Sequence, residues 1–133
     1  YYSEILKKFK WKFIRRKNSI SNYKLIDKFS IIVFIDSTLG YESIVRNKKI
    51  AVFSTRQVDK NDKASPFGWP KRINKRGFFY SNNISKKEVF RVLRNVLLAR
   101  NFSWKKKTSK IFNGIIYFNF NNKKFFQVVN KYY

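Results

Sequence analysis

The 133 residues are one domain's worth of chain, or half of a two-lobed protein, and 44% of them are apolar, enough for a packed core. There is no cysteine, which excludes a disulfide scaffold or thiolate metal site, and no histidine, which removes the commonest general base and metal ligand. The formal charge of +24 invites a nucleic-acid partner. However, the lysines are spread along the chain, and Lys, Asn, Ile, Phe and Tyr, all with A/T-rich codons, make up over half of it, so a solvated basic surface is the first reading.

In chain order, "YYSEILKKF" reads as the last turns of a helix with Ile5, Leu6 and Phe9 on one side. "WKFIR" follows as a short strand with Trp11 and Phe13 on one face. After the polar loop "RRKNSISN", Ser21 or Asn22 can cap a short helix, "YKLIDKF", with Tyr23, Leu25 and Ile26 inward. "IIVFI" is a continuous apolar run, as expected of a strand buried on both faces of a parallel sheet. "STLGYESIVRN" is a helix of about three turns, and "KKIAVFS" the next strand. Residues 55–76 hold both prolines and Gly68 and form a long loop, a place where function often lies. "GFFYSN" is the fourth strand. "SKKEVFRVLRNVLLAR" is the best helix, with a Ser85–Glu88 capping box and an apolar stripe of Val89, Val92, Leu93, Val96 and Leu97. "NFSWKKKTSKIFNGIIYFNFN" predicts a short helix and an irregular segment, and "NKKFFQVVNKYY" a closing helix. No apolar run approaches the roughly 20 residues of a membrane span. Methionine is absent even at position 1, so the chain is expected to be a fragment or a processed piece.

Alternating strands and helices imply a parallel sheet flanked by helices, with ligands at the carboxyl ends of the strands. The run "IIVFIDSTLGYESI" sits at such an end. Ser37 and Thr38 offer hydroxyls beside the first amides of a helix, and Gly40 would let a ligand come close, so a phosphate is the natural guest. Ordinary capping by Asp36, Ser37 or Thr38 is the competing reading. Glu42 lies too far along for a capping box. It could accept hydrogen bonds from sugar hydroxyls or pair with Arg46 at i+4.

"FIDSTLGYESIVRNKKIAVFS" resembles the nucleotide-sugar-binding half of GT-B-type glycosyltransferases and, more narrowly, is similar to bacterial surface carbohydrate biosynthesis proteins. The resemblance extends to "NYKLIDKFS" before it and to "FGWPKRINKRGFFYSNNISKKEVFRVLRNV" after it. Asn47 stands where a glycine is common. The resemblance implies a Rossmann-like α/β lobe over residues 1–133, the carboxyl-terminal half of a two-lobed protein whose amino-terminal lobe is missing here. Ser37 and Thr38 would hold the diphosphate and Glu42 the ribose; a sugar-nucleotide epimerase-like lobe is the related alternative. The implied partners are a nucleotide sugar as substrate and a saccharide acceptor. Neither a cofactor nor a metal is implied. The place expected is the cytoplasm, at the inner face of the membrane in so far as the basic surface makes peripheral contact with anionic lipid.

Arg15 and Arg16 end the first predicted strand and Arg56 follows the third, so each could clamp a phosphate at the same crevice, or be plain surface charge. Trp69 and Phe67 could stack on a base or sugar, or anchor the long loop. "FKWKFIRRK" interleaves aromatics with lysines, as a single-strand nucleic-acid binder does, but also as any half-buried strand does; a basic nucleic-acid-binding module is the alternative function, and no nucleic acid is expected as partner.

Overall fold

The computed structural model describes residues 2–15, 19–35, 37–54, 67, 74–116 and 123–132. It is a small α/β protein. In chain order the elements are α1 (Tyr2–Ile5), α2 (Ser19–Asp27), β1 (Ile31–Phe34), α3 (Thr38–Val45), β2 (Lys49–Phe53), β3 (Tyr80–Ser81), α4 (Lys86–Leu98), α5 (Asn101–Ile115) and α6 (Lys123–Tyr132). The three strands form one parallel sheet in the order β1-β2-β3.

β2 is the centre, and Ile50, Ala51, Val52 and Phe53 are all at most 5% exposed, as a parallel strand covered on both faces requires. Phe34 and Val52 are register partners, as are Val52 and Tyr80, so the three side chains share one face. α3 covers that face, with Tyr41 against Phe34 and Phe67 bridging Tyr41 to Tyr80. On the other face Phe79 meets Trp104 and Phe112 of α5, and Lys49 Nζ donates to the Ala99 carbonyl at the end of α4. Val92 and Val96 of α4 are fully buried.

α3 ends in a Schellman turn. The Lys48 amide donates to the Ser43 carbonyl and the Asn47 amide to that of Ile44, with Asn47 at φ 57°. The left-handed conformation explains the residue: glycine suits it best and asparagine next, so Asn47 does a glycine's work.

Several expectations need correction. "WKFIR" is no strand: Trp11, Phe13 and Ile14 are exposed on a segment without regular structure, because the sheet offers them no partner. The helix before it is short, with Ile5 and Phe9 exposed. β1 is not buried on both faces: Val33, and Ile35 just after the strand, are each 55% exposed, on the side opposite the buried Phe34. α5 is a helix of 15 residues, the longest described, in place of a short helix and irregular chain. Its Trp104 and Thr108 are buried one turn apart, a spacing hidden by the lysines between them. Leu97, placed on the core stripe of α4, is exposed.

Candidate functional site

β1 runs out at Phe34, and α3 begins four residues later at Thr38. Ser37 is the N-cap in extended conformation, and its carbonyl accepts from the amides of Gly40 (3.0 Å) and Tyr41 (3.4 Å). Its hydroxyl makes no capping bond. The capping that competed with a ligand role for Ser37 therefore does not occur. Thr38 is exposed, and the first turn of α3 contains no acid. The junction thus presents first-turn amides and two hydroxyls at the carboxyl edge of the sheet, without a carboxylate in that turn to repel an anion. Asp36 lies outside the described residues.

Gly40 has a packing reason of its own. A Cβ there would collide with the ring of Phe34 below it, so glycine is what lets α3 lie against β1. Its amide is engaged by the Ser37 carbonyl.

Glu42 is one turn past Thr38 on the same side of α3. Its Oε2 accepts from the Tyr23 hydroxyl at 2.7 Å. The expected pair with Arg46 does not form. Arg46 turns to Asp27 of α2, donating through Nε at 2.8 Å and also through Nη2, and its guanidinium lies 5.4 Å from the centre of the Tyr23 ring. Lys48 Nζ adds a bond to the Asp27 carbonyl. The Arg46 hydrogen bonds hold the Asp27 carboxyl below its ordinary range, and Glu42 pushes the Tyr23 hydroxyl above its own. α2 is therefore strapped to the outer side of α3 by polar contacts, with Glu42 on the seam.

The second junction, β3 to α4, is built differently. Ser85 is the N-cap, again without a side-chain capping bond, so the expected Ser85–Glu88 box is absent. Glu88 turns inward to 9% exposure. Arg91 donates to both its oxygens, Ser81 Oγ donates to Oε2 at 3.2 Å, and Arg76 pairs with Oε1 at 3.0 Å. The turn is closed by Asn83, whose Oδ1 accepts from the Ser85 amide while its own amide donates to Ser81 Oγ. Beside this, Asn82 is 7% exposed, and its Oδ1 is the buried side-chain oxygen without a hydrogen-bond partner among the described residues.

Tyr23 and Asn82 were not signalled by the sequence. Neither belongs to a motif: the position of α2 brings Tyr23 to Glu42, and Asn82 is buried in the β3–α4 turn. Arg15 is exposed on the irregular amino-terminal segment and does not end a strand. Arg16, Arg56 and Trp69 lie outside the described residues. Phe67 is 2% exposed and packs on Tyr41, Phe79 and Tyr80, which is the anchoring role. A cavity of about 760 Å³ lies at the other end of α3, lined by Ile44, Asn47, Lys48, Trp104 and Phe112 among others, and shares no residue with the Ser37 junction.

A family model described as "putative O-antigen biosynthesis protein" matches residues 1–133. No curated protein and no solved structure matches the chain.

Proposed function

The chain belongs to this O-antigen biosynthesis family, and on that premise we propose that it is a Rossmann-like lobe that binds the nucleotide-sugar donor of a glycosyltransferase-like protein. The observation that carries the reading is the β1–α3 junction, where the Ser37 hydroxyl makes no capping bond beside the amides of a helix whose first turn contains no acid. That is the chemistry a diphosphate needs. Ser37 and Thr38 take the diphosphate. Glu42, oriented by Tyr23, takes the ribose hydroxyls one turn further on. Asn82 Oδ1, an unpartnered acceptor, lies after β3, two strands away in the sheet. A second lobe supplies the saccharide acceptor site and the catalytic base.

Calorimetric titration with pyrophosphate and with a nucleoside diphosphate tests the assignment. Ser37→Ala with Thr38→Ala should weaken both ligands by about 1–3 kcal/mol, since each loses hydrogen bonds to a charged group. Glu42→Gln should weaken the nucleoside diphosphate and spare pyrophosphate. Equal loss for both ligands in Glu42→Gln would refute the ribose role, and no loss in either variant would remove the site.

A further inference from the structure

The outer side of α4 and the start of α5 carry large apolar residues that the core does not use. Phe90 and Leu97 are each 64% exposed, Leu98 is 71% exposed and Phe102 82%. Phe90 and Leu97 are seven residues apart and therefore lie on one line of the helix, opposite the buried Val92 and Val96. This is not a random scatter of exposed hydrophobes; it is a stripe on the one face where a soluble helix should be polar.

Cations are set among these residues. Lys86, Lys87 and Arg94 share the outer face of α4, and Arg100, Lys105 and Lys106 continue along α5; all six are exposed. Glu88 is the sole acid in the sequence after Asp62, and it is buried and paired. The patch therefore has a single sign of charge, and its partner must be anionic and also accept apolar side chains.

We propose that this face seats the protein on an anionic lipid surface, with Phe90, Leu97, Leu98 and Phe102 entering the boundary between headgroups and acyl chains while the flanking cations meet the headgroups. A second copy of the chain is disfavoured because the same six cations would face one another. Nucleic acid satisfies the charge but gains nothing from Leu97 and Leu98, which have no ring to stack on a base. Among the described residues no helix is long and apolar enough to cross a membrane.

Co-sedimentation of the full chain with vesicles of phosphatidylglycerol or phosphatidylcholine tests this. The protein should pellet with the anionic vesicles and stay in solution with the zwitterionic ones. Phe90→Gln with Leu97→Gln and Phe102→Gln should weaken binding to anionic vesicles by about tenfold or more, and leave the circular dichroism and thermal melt unchanged because all three are exposed. Lys86→Glu with Lys87→Glu and Arg94→Glu should weaken it much more than the charge-matched control Lys7→Glu with Lys8→Glu and Lys10→Glu. Three results would overturn the proposal. The first is no pelleting with anionic vesicles. The second is an equal loss in the two charge variants, or none in the glutamine variant, since either would mean diffuse attraction by the whole basic chain. The third is a dimer that the glutamine variant dissolves.

Discussion

The two strand-to-helix junctions of the sheet begin alike and end differently. Both β1–α3 and β3–α4 pass from a parallel strand to a helix through a serine N-cap, and neither serine caps with its side chain. At β3–α4 the polar groups satisfy one another, Asn82 Oδ1 excepted. Glu88 sits in the first turn and is taken up by Arg91, Arg76 and Ser81, and Asn83 closes the turn. At β1–α3 there is no acid in the first turn, and the acid that follows, Glu42, faces outward to Tyr23 of α2. An acid in the first turn neutralises the positive end of its helix; moved one turn along and outward, it leaves that end to an external anion. The same local architecture is thus closed at one strand end and open at the other.

Removing the acid from the closed junction should have the largest effect on stability. Glu88→Gln removes the buried carboxylate shared by Arg91 and the more exposed Arg76, and should lower Tm by about 10 °C at pH 7. The pH dependence has a definite sign. Hydrogen bonds from Arg91 hold the Glu88 carboxyl below the ordinary glutamate range, helped by Ser81 and by the charges of Arg91 and Arg76, against the opposing effect of burial. A depressed carboxyl stabilises the fold above its unfolded pKa, about 4.3, and this is lost as pH falls through the lower folded value. Thermal melts from pH 3 to 7 should show wild type losing its advantage over Glu88→Gln below about pH 4.3. A constant difference across that range would show that the cluster is held by packing rather than by the charge.

How far the sequence announces these junctions depends on where each signal lies. The apolar runs of β1 and β2, the helix between them and the stripe of Val92 and Val96 are periodic or continuous patterns, and each appears where its pattern implies. The Ser85–Glu88 box fails because the spacing of a capping box is also that of an acid one turn into a helix, and arginines at 76 and 91 compete for it through contacts no local rule contains. The Glu42–Arg46 pair fails for the same reason: α2 brings Asp27 to Arg46 from 19 residues away. In "WKFIR" alternation alone implies a strand, but a strand exists only where a sheet edge is there to receive it. At the open junction the motif is legible from Ser37 to Glu42, whereas Tyr23 enters only through the tertiary fold.

Gly40 tests what holds the open junction in place. Adding a Cβ forces the Phe34 ring to move, an overpacking cost of about 1–3 kcal/mol offset in part by the better helix propensity of alanine. Gly40→Ala should therefore lose about 1–2 kcal/mol by urea unfolding. Making room with Phe34→Leu in the same chain should reduce the penalty of the Gly40→Ala step. If the double variant regains binding of a nucleoside diphosphate, the glycine serves packing; if it regains stability and not binding, close approach of the ligand is the reason for glycine after all.

The smallest effect on stability is the most direct test of the contrast. Ser37→Ala and Ser85→Ala remove the two N-cap hydroxyls, and a capping serine would cost about 1 kcal/mol on such a change. Neither hydroxyl makes that bond here, so both variants should unfold within about 0.5 kcal/mol of wild type. They should part company on ligand. Ser85 belongs to the junction already closed by Asn83 and Glu88, and its loss should leave pyrophosphate affinity unchanged. Ser37 belongs to the open junction, and its loss should weaken pyrophosphate by about fivefold or more, the worth of one hydrogen bond to a charged group. A loss of about 1 kcal/mol of stability in Ser37→Ala would mean that the hydroxyl caps in solution and that the two junctions differ less than their geometry. Equal affinity in the two variants would mean that the anion, if it binds at all, is held elsewhere than at the start of α3.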